Sequence, residues 1–148
     1  MKNKNTERGF YMINVLVGKK GTGKTKVLIE MANKWSGETK GNIIYIDDGN
    51  RHMYDLDPSI RLMNAGEFRI KRADALLGFI SGVIAGDFDI EKIYIDGLLK
   101  IVPMDNDEME SFFEGLEYLA QNFKVKFTVS INKDMEEIPE YVKKYTAE

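Results

Sequence analysis

The chain has 148 residues, long enough for one domain with a real core; 43% are hydrophobic and 30% charged, which excludes disorder and membrane embedding. A formal net charge of −3 argues against a surface built from basic patches for nucleic acid. There is no cysteine and His52 is the only histidine, so disulfides, thiol nucleophiles, zinc sites built on Cys or His and a Ser-His-Asp triad are all excluded.

Met1 to Tyr11 is polar, lacks the apolar core of a signal peptide, and is expected to form a flexible tail. Residues 12–148 are then expected to make a single domain. No apolar run is long enough to span a bilayer, and with the missing cysteines this gives cytoplasmic localisation as the expectation. Met12 to Val17 is a short apolar run rich in β-branched residues and reads as a buried strand. Next comes Gly18-Lys19-Lys20-Gly21-Thr22-Gly23-Lys24-Thr25, which fits G-x-x-x-x-G-K-[ST] at every fixed position. Val27, Leu28, Met31, Ala32 and Trp35 then recur at helical spacing and are expected on the buried side.

Strand, glycine loop and helix together give the context that a phosphate-binding loop needs. Glycines let the backbone curl around an anion with its N–H groups inward, and the helix N-terminus adds positive potential. Lys24 can reach the β- and γ-phosphates, and the Thr25 hydroxyl can coordinate Mg²⁺. Gly18 to Thr25, with Lys26 behind them, are the expected nucleotide-contacting residues.

Ser36 to Gly41 reads as a turn, and Asn42 to Ile46 as a second buried strand ending in Asp47-Asp48-Gly49-Asn50. Ile60 to Met63 reads as a short third strand. Lys71 to Ala85 reads as a helix burying Ala73, Leu76, Leu77, Ile80, Val83 and Ile84. Gly78, Gly82 and Gly86 weaken it, by about 1 kcal/mol for each that lies inside it, and serve close packing or movement.

Lys92 to Asp96 is the next strand, closing on a carboxylate. Asp105 and Glu108 have capping-box spacing and open a helix that turns Met109, Phe112, Phe113, Leu116, Ala120 and Phe123 inward. Val125 to Ile131 is the last strand. Pro139 suits the first turn of a closing helix docked by Ile138, Tyr141, Val142 and Tyr145. Alternating strands and helices predict an α/β fold, a three-layer αβα arrangement around a mostly parallel five-stranded sheet. Right-handed crossovers gather the glycine loop, Asp47, Asp48, Asp96 and Ser130 to Asn132 at one rim.

At that rim, Asp96 after Ile93-Tyr94-Ile95 has the features of a carboxylate that holds Mg²⁺ through water; the plain alternative is a strand-end turn with Gly97. Gly18 to Thr25 together with Ile93 to Asp96 resembles the P-loop NTPase superfamily over nearly the whole chain from Met12. The resemblance implies that fold, ATP and Mg²⁺ as cofactors, and Thr25 and Asp96 as metal-holding residues. Gly97 stands where many AAA+ and ABC-type ATPases carry a catalytic Glu. Water activation then falls to Asp47, to Asp48 or to a partner's group, while Asp47 to Asn50 reads equally as a turn.

Lys19 is similar in place to the signature lysine of partition and septum-site ATPases of the ParA and MinD type, which reaches a partner's phosphates across a dimer. Lys20 replaces a glycine of their pattern, and a solvated lysine is the alternative. Ser130 and Asn132 read as γ-phosphate sensors or as strand-end caps. Asn132-Lys133-Asp134-Met135 misses the guanine-reading N-K-x-D motif, with its Asp one position early, so ATP is favoured over GTP. The early phosphate loop, Ile95-Asp96-Gly97-Leu98 and Pro139-Glu140-Tyr141 are similar to small stand-alone bacterial ATP-binding proteins labelled twitching-motility-type. True motors of that name are larger and carry histidine motifs that this chain lacks, so the label establishes no motility role.

The expectation is a Mg²⁺-dependent ATPase whose nucleotide state controls assembly or partner binding, the partner being a second copy or another protein. One alternative is a nucleotide sensor or switch with little turnover. Another is a small-molecule or nucleotide kinase, for which Arg51, Arg61, Arg69 and Arg72 would have to converge as a lid.

Overall fold

The computed structural model describes residues 12–146; the expected tail over 1–11 lies outside them. Five strands form one sheet: β1 (Ile13–Gly18), β2 (Asn42–Asp47), β3 (Arg61–Asn64), β4 (Ile90–Ile95) and β5 (Lys126–Asn132). Their order is β1-β5-β4-β2-β3 and every neighbouring pair is parallel. Val129 is level with both Val15 and Ile95, and Ile95 with Ile46, so the strands end at a common rim.

The helices are α1 (Lys24–Ser36), α2 (Ala73–Ala85), the single-turn α3 (Leu98–Ile101), α4 (Asn106–Phe123) and the single-turn α5 (Glu140–Lys143). The chain moves one way along the sheet from β1 to β2, and the other way from β3 to β4 and from β4 to β5. Right-handed crossovers must therefore place α1 on one face and α2 and α4 on the other. The packing agrees. Leu28 and Ala32 of α1 bury against Ile43, Tyr45 and Tyr94, with Leu56 and Ile60 of the β2–β3 connection. On the opposite face, Ile44, Ile46, Ile93, Ile95, Phe127 and Val129 meet Leu76 and Ile80 of α2 and Phe112, Phe113 and Leu116 of α4. Alternate residues of each strand serve different layers, which is why the strands read as continuous apolar runs.

Several expected details shift. Leu28 and Ala32 fix the buried stripe of α1, so Val27, a residue earlier and 43% exposed, turns away from the core. Phe123, the last residue of α4, is exposed, whereas Leu119 takes a buried place. Pro139 is the residue before α5 rather than within its first turn, and Tyr145 and Thr146 run on beside β1. The Val15 amide donates to the Tyr145 carbonyl at 3.0 Å, covering part of that sheet edge.

The capping box of α4 is complete: the Glu108 amide donates to Asp105 Oδ1 at 2.8 Å and the Asp105 amide to Glu108 Oε1 at 2.9 Å. A Cβ at Gly78 or Gly82 would meet nothing within 4 Å, so neither glycine serves close packing. That role belongs to Gly115 of α4, where a Cβ would fall 2.3 Å from Leu77 Cδ2 of α2.

Candidate functional site

The site begins where β1 gives way to α1. Gly21 and Gly23 turn the chain there with φ of 88° and 87°, the left-handed region that glycine enters without steric cost. Gly23 is the N-cap of α1 and offers no side chain to its first-turn amides, so those donors are left for another acceptor. The Lys24 ammonium lies across the loop, donating to the Gly18 carbonyl at 2.7 Å, the Lys19 carbonyl at 2.9 Å and Thr22 Oγ1 at 3.1 Å. Thr22 in turn donates to the Lys19 carbonyl at 2.8 Å. Burial holds the Lys24 ammonium below the usual lysine range, and the Asp96 charge acts the other way. Lys20 and Lys26 are exposed, and Lys19 Nζ lies 3.7 Å from Asp134 Oδ2 of its own chain.

The second part comes from three other strands. Asp96 directly follows β4 and is only 6% exposed. Its Oδ1 accepts from the Thr25 hydroxyl at 3.1 Å and from Ser130 Oγ at 3.2 Å, while its Oδ2 accepts from the Tyr45 hydroxyl at 2.8 Å. Ser130 of β5, the strand between β1 and β4, holds the end of β4 twice, because the Gly97 amide also donates to Ser130 Oγ at 2.7 Å. Burial, reinforced by the Asp96 charge and hydrogen bond, keeps Tyr45 protonated far above the usual tyrosine range. Ser130 is thus a brace for Asp96. Tyr45 was legible only as an apolar strand residue, because its hydroxyl's partner is 51 residues away.

The third part is the end of β2. The Asp96 amide donates to the Ile46 carbonyl at 2.9 Å, which sets Asp47 beside Asp96 at the rim. Asp47 is 1% exposed; its Oδ1 accepts from the Asp48 amide at 2.7 Å, and its Oδ2 has no partner. Burial pushes the Asp47 carboxyl up to about 6 against the pull of the Asp48 amide; sharing its proton with the Asp48 carboxyl, then the Asp96 and Asp48 charges, add to the rise. Asp48 behaves differently. Burial opposes its anion too, but its link to Asp47, Lys100 of α3 at 3.9 Å and Arg51 at 3.2 Å outweigh it and hold its carboxyl below the ordinary range. Arg51 is thereby engaged with Asp48 and also lies 4.0 Å from Asp47 Oδ1, and Arg72 is engaged with Asp74 at 3.0 Å.

Among the described residues, no group of three or more histidine, aspartate or glutamate side chains is arranged to hold a metal. The donors at the Thr25–Asp96 joint are one hydroxyl and one carboxylate, hard oxygens of the kind Mg²⁺ accepts when phosphates and waters complete its shell. The residues present therefore fit that ion. No helix among the described residues is long and apolar enough to cross a membrane. No protein-family model matches the chain, and no curated protein matches it.

Proposed function

We propose that this chain is a P-loop nucleoside triphosphatase: it binds ATP with Mg²⁺, and its nucleotide state controls assembly or partner binding. The observation that carries the reading is the 3.1 Å contact between Thr25 and Asp96, residues 71 apart in sequence. It sits at the mouth of a glycine loop that already holds an ammonium group.

In this reading the loop amides and the first turn of α1 bind the polyphosphate, and Lys24 gives up its carbonyl partners to pair with it. Thr25 and Asp96 would hold Mg²⁺, which neutralises charge on the β- and γ-phosphate oxygens when bound. Tyr45 and Ser130 keep the Asp96 carboxylate fixed in place. Asp47 brings to the rim a buried carboxylate oxygen with no partner, poised near neutrality to orient water and take its proton. Replacing Lys24 with Ala is expected to weaken ATP binding at least tenfold and to abolish phosphate release, measured by titration calorimetry and a phosphate assay. Unchanged affinity and rate would overturn the proposal.

One observation favours a switch with little intrinsic turnover. Gly97, where a catalytic carboxylate would follow Asp96, has φ 73°, and its amide is tied to Ser130, so a side chain there is strained. Phosphate release by the isolated protein separates the two: turnover on the minute scale or faster removes the switch reading.

A further inference from the structure

Helices α2 and α4 each lead from one parallel strand to the next, so both run against the strands and finish at the end of the molecule opposite the glycine loop. The two ends of this helix pair differ in kind. Between the first turns of α2 and α4 lies a cleft of about 470 Å³, floored by Ala73, Leu77 and Phe112. Asp74, Asp107 and Glu108 line it against one cation, Arg72, which Asp74 already holds. This end is apolar within and acidic at its rim.

At the far end, the chain leaving α2 presents Phe88, 86% exposed, and α4 closes on the exposed Phe123. Both rings border a second cleft with Trp35, where Lys40, Lys124 and Lys126 outnumber Asp89 and Glu91. Glu91 accepts from the Thr39 hydroxyl, and Lys124 Nζ donates to the Gln121 carbonyl at 3.3 Å. Lys92 stands directly opposite Lys126 on the neighbouring strand, and among the described residues neither has a carboxylate partner. Like charges placed so across a ladder cost stability, which an incoming anion would relieve. A lone exposed Phe needs no explanation, but aromatic side chains gathered in a basic patch mark an interaction surface.

We propose that these two surfaces bind each other: Phe88 of one copy of the chain plugs the acidic cleft between α2 and α4 of the next, and the lysines around it face Asp107 and Glu108. Three features select a second copy as the partner. The protruding ring matches an apolar floor, the charges at the two rims are opposite, and the surfaces cap opposite ends of one helix layer. A displacement along the helices therefore joins them. Phe side chains dominate interface energetics, burying about 150–250 Å² each. Because the two surfaces differ, the contact is head-to-tail and repeats from copy to copy instead of closing as a two-fold dimer. Neither Met12 nor Thr146, the ends of the described chain, lines either cleft. The contact goes beyond the phosphate site and does not depend on it.

The test is sedimentation velocity of the full chain without nucleotide, at protein concentrations up to about 1 mM. Species larger than a dimer should form at about 50 mM salt and diminish at about 0.5 M, as the charges are screened. Phe88→Ala and Asp107→Lys, both at exposed positions, should each weaken assembly at least tenfold. Mixed in equal amounts, the two variants should recover a single contact. Phe88 of the Asp107→Lys chain enters the intact cleft of the Phe88→Ala chain, giving a 1:1 dimer that grows no further. A wild-type chain that stays monomeric overturns the proposal, and so does a mixture that stays monomeric. Assembly that survives Phe88→Ala, as a contact made through residues 1–11 would, overturns it too. The phosphate site is judged separately, by ATP binding to Lys24→Ala.

Discussion

Asp96 and Asp47 close neighbouring strands at the same rim, and both are buried, yet their surroundings are opposite. Asp96 has hydroxyl donors on both oxygens, from Thr25, Ser130 and Tyr45. Asp47 has one backbone donor on Oδ1 with the Arg51 guanidinium 4.0 Å from that oxygen, a bare Oδ2 and a carboxyl raised to about 6. Burial with few hydrogen bonds to the anion turns the Asp47 carboxylate into a proton acceptor near neutrality. The same residue type at equivalent strand ends is thereby divided into a braced group and a titrating group.

The largest expected effect tests the titrating half. If Asp47 takes the proton from water, Asp47→Asn should lower phosphate release by about 10²–10⁴-fold with ATP affinity unchanged. The wild-type rate should rise with pH through about 6 and level off above it, as Asp47 loses its proton. A flat rate profile across pH 5–8 would remove Asp47 from the chemistry.

Stability gives the same contrast a second readout. The folded Asp47 binds its proton more tightly than the unfolded chain, so its contribution is greatest below about pH 4 and declines until about pH 6. A carboxyl that titrates near 4 in the unfolded chain and at about 6 in the folded one costs about 3 kcal/mol once ionised. Asp47→Asn should therefore stabilise the protein by about 1–3 kcal/mol at pH 7.5 in urea unfolding and have little effect at pH 4. Loss of stability at pH 7.5 would contradict the buried, under-bonded carboxylate.

Tyr45→Phe probes the braced half. It strips Asp96 Oδ2 of its donor in a buried setting, costing about 1–3 kcal/mol in urea unfolding. It should also raise the Mg²⁺ concentration needed for half-maximal ATP binding about 10–100-fold. An unchanged Mg²⁺ requirement would make Tyr45 merely structural. Ser130→Ala should cost about 1–3 kcal/mol in the same unfolding: Thr25 still donates to Oδ1, but the buried Gly97 amide loses its acceptor.

The sequence carried far along the elements. The third strand, expected over 60–63, forms at Arg61–Asn64, and the α4 capping box closes as its spacing required. Phe123 and Val27 went astray because periodicity cannot tell a helix's core stripe from its margins or its frayed last turn. Gly115 gave no signal either: the reason for it is Leu77 on another helix.

Local chemistry was enough to mark the glycine loop, Lys24, Thr25 and the strand-end carboxylates, because turn-forming glycines and apolar runs are written in neighbouring residues. Which carboxylate is braced and which is left bare was decided only by strand order, which sets β5 with Ser130 between the loop and Asp96 and brings Tyr45 across from β2. Hydrogen bonds between residues 34 to 71 positions apart depend on that pairing, and no local pattern encodes it.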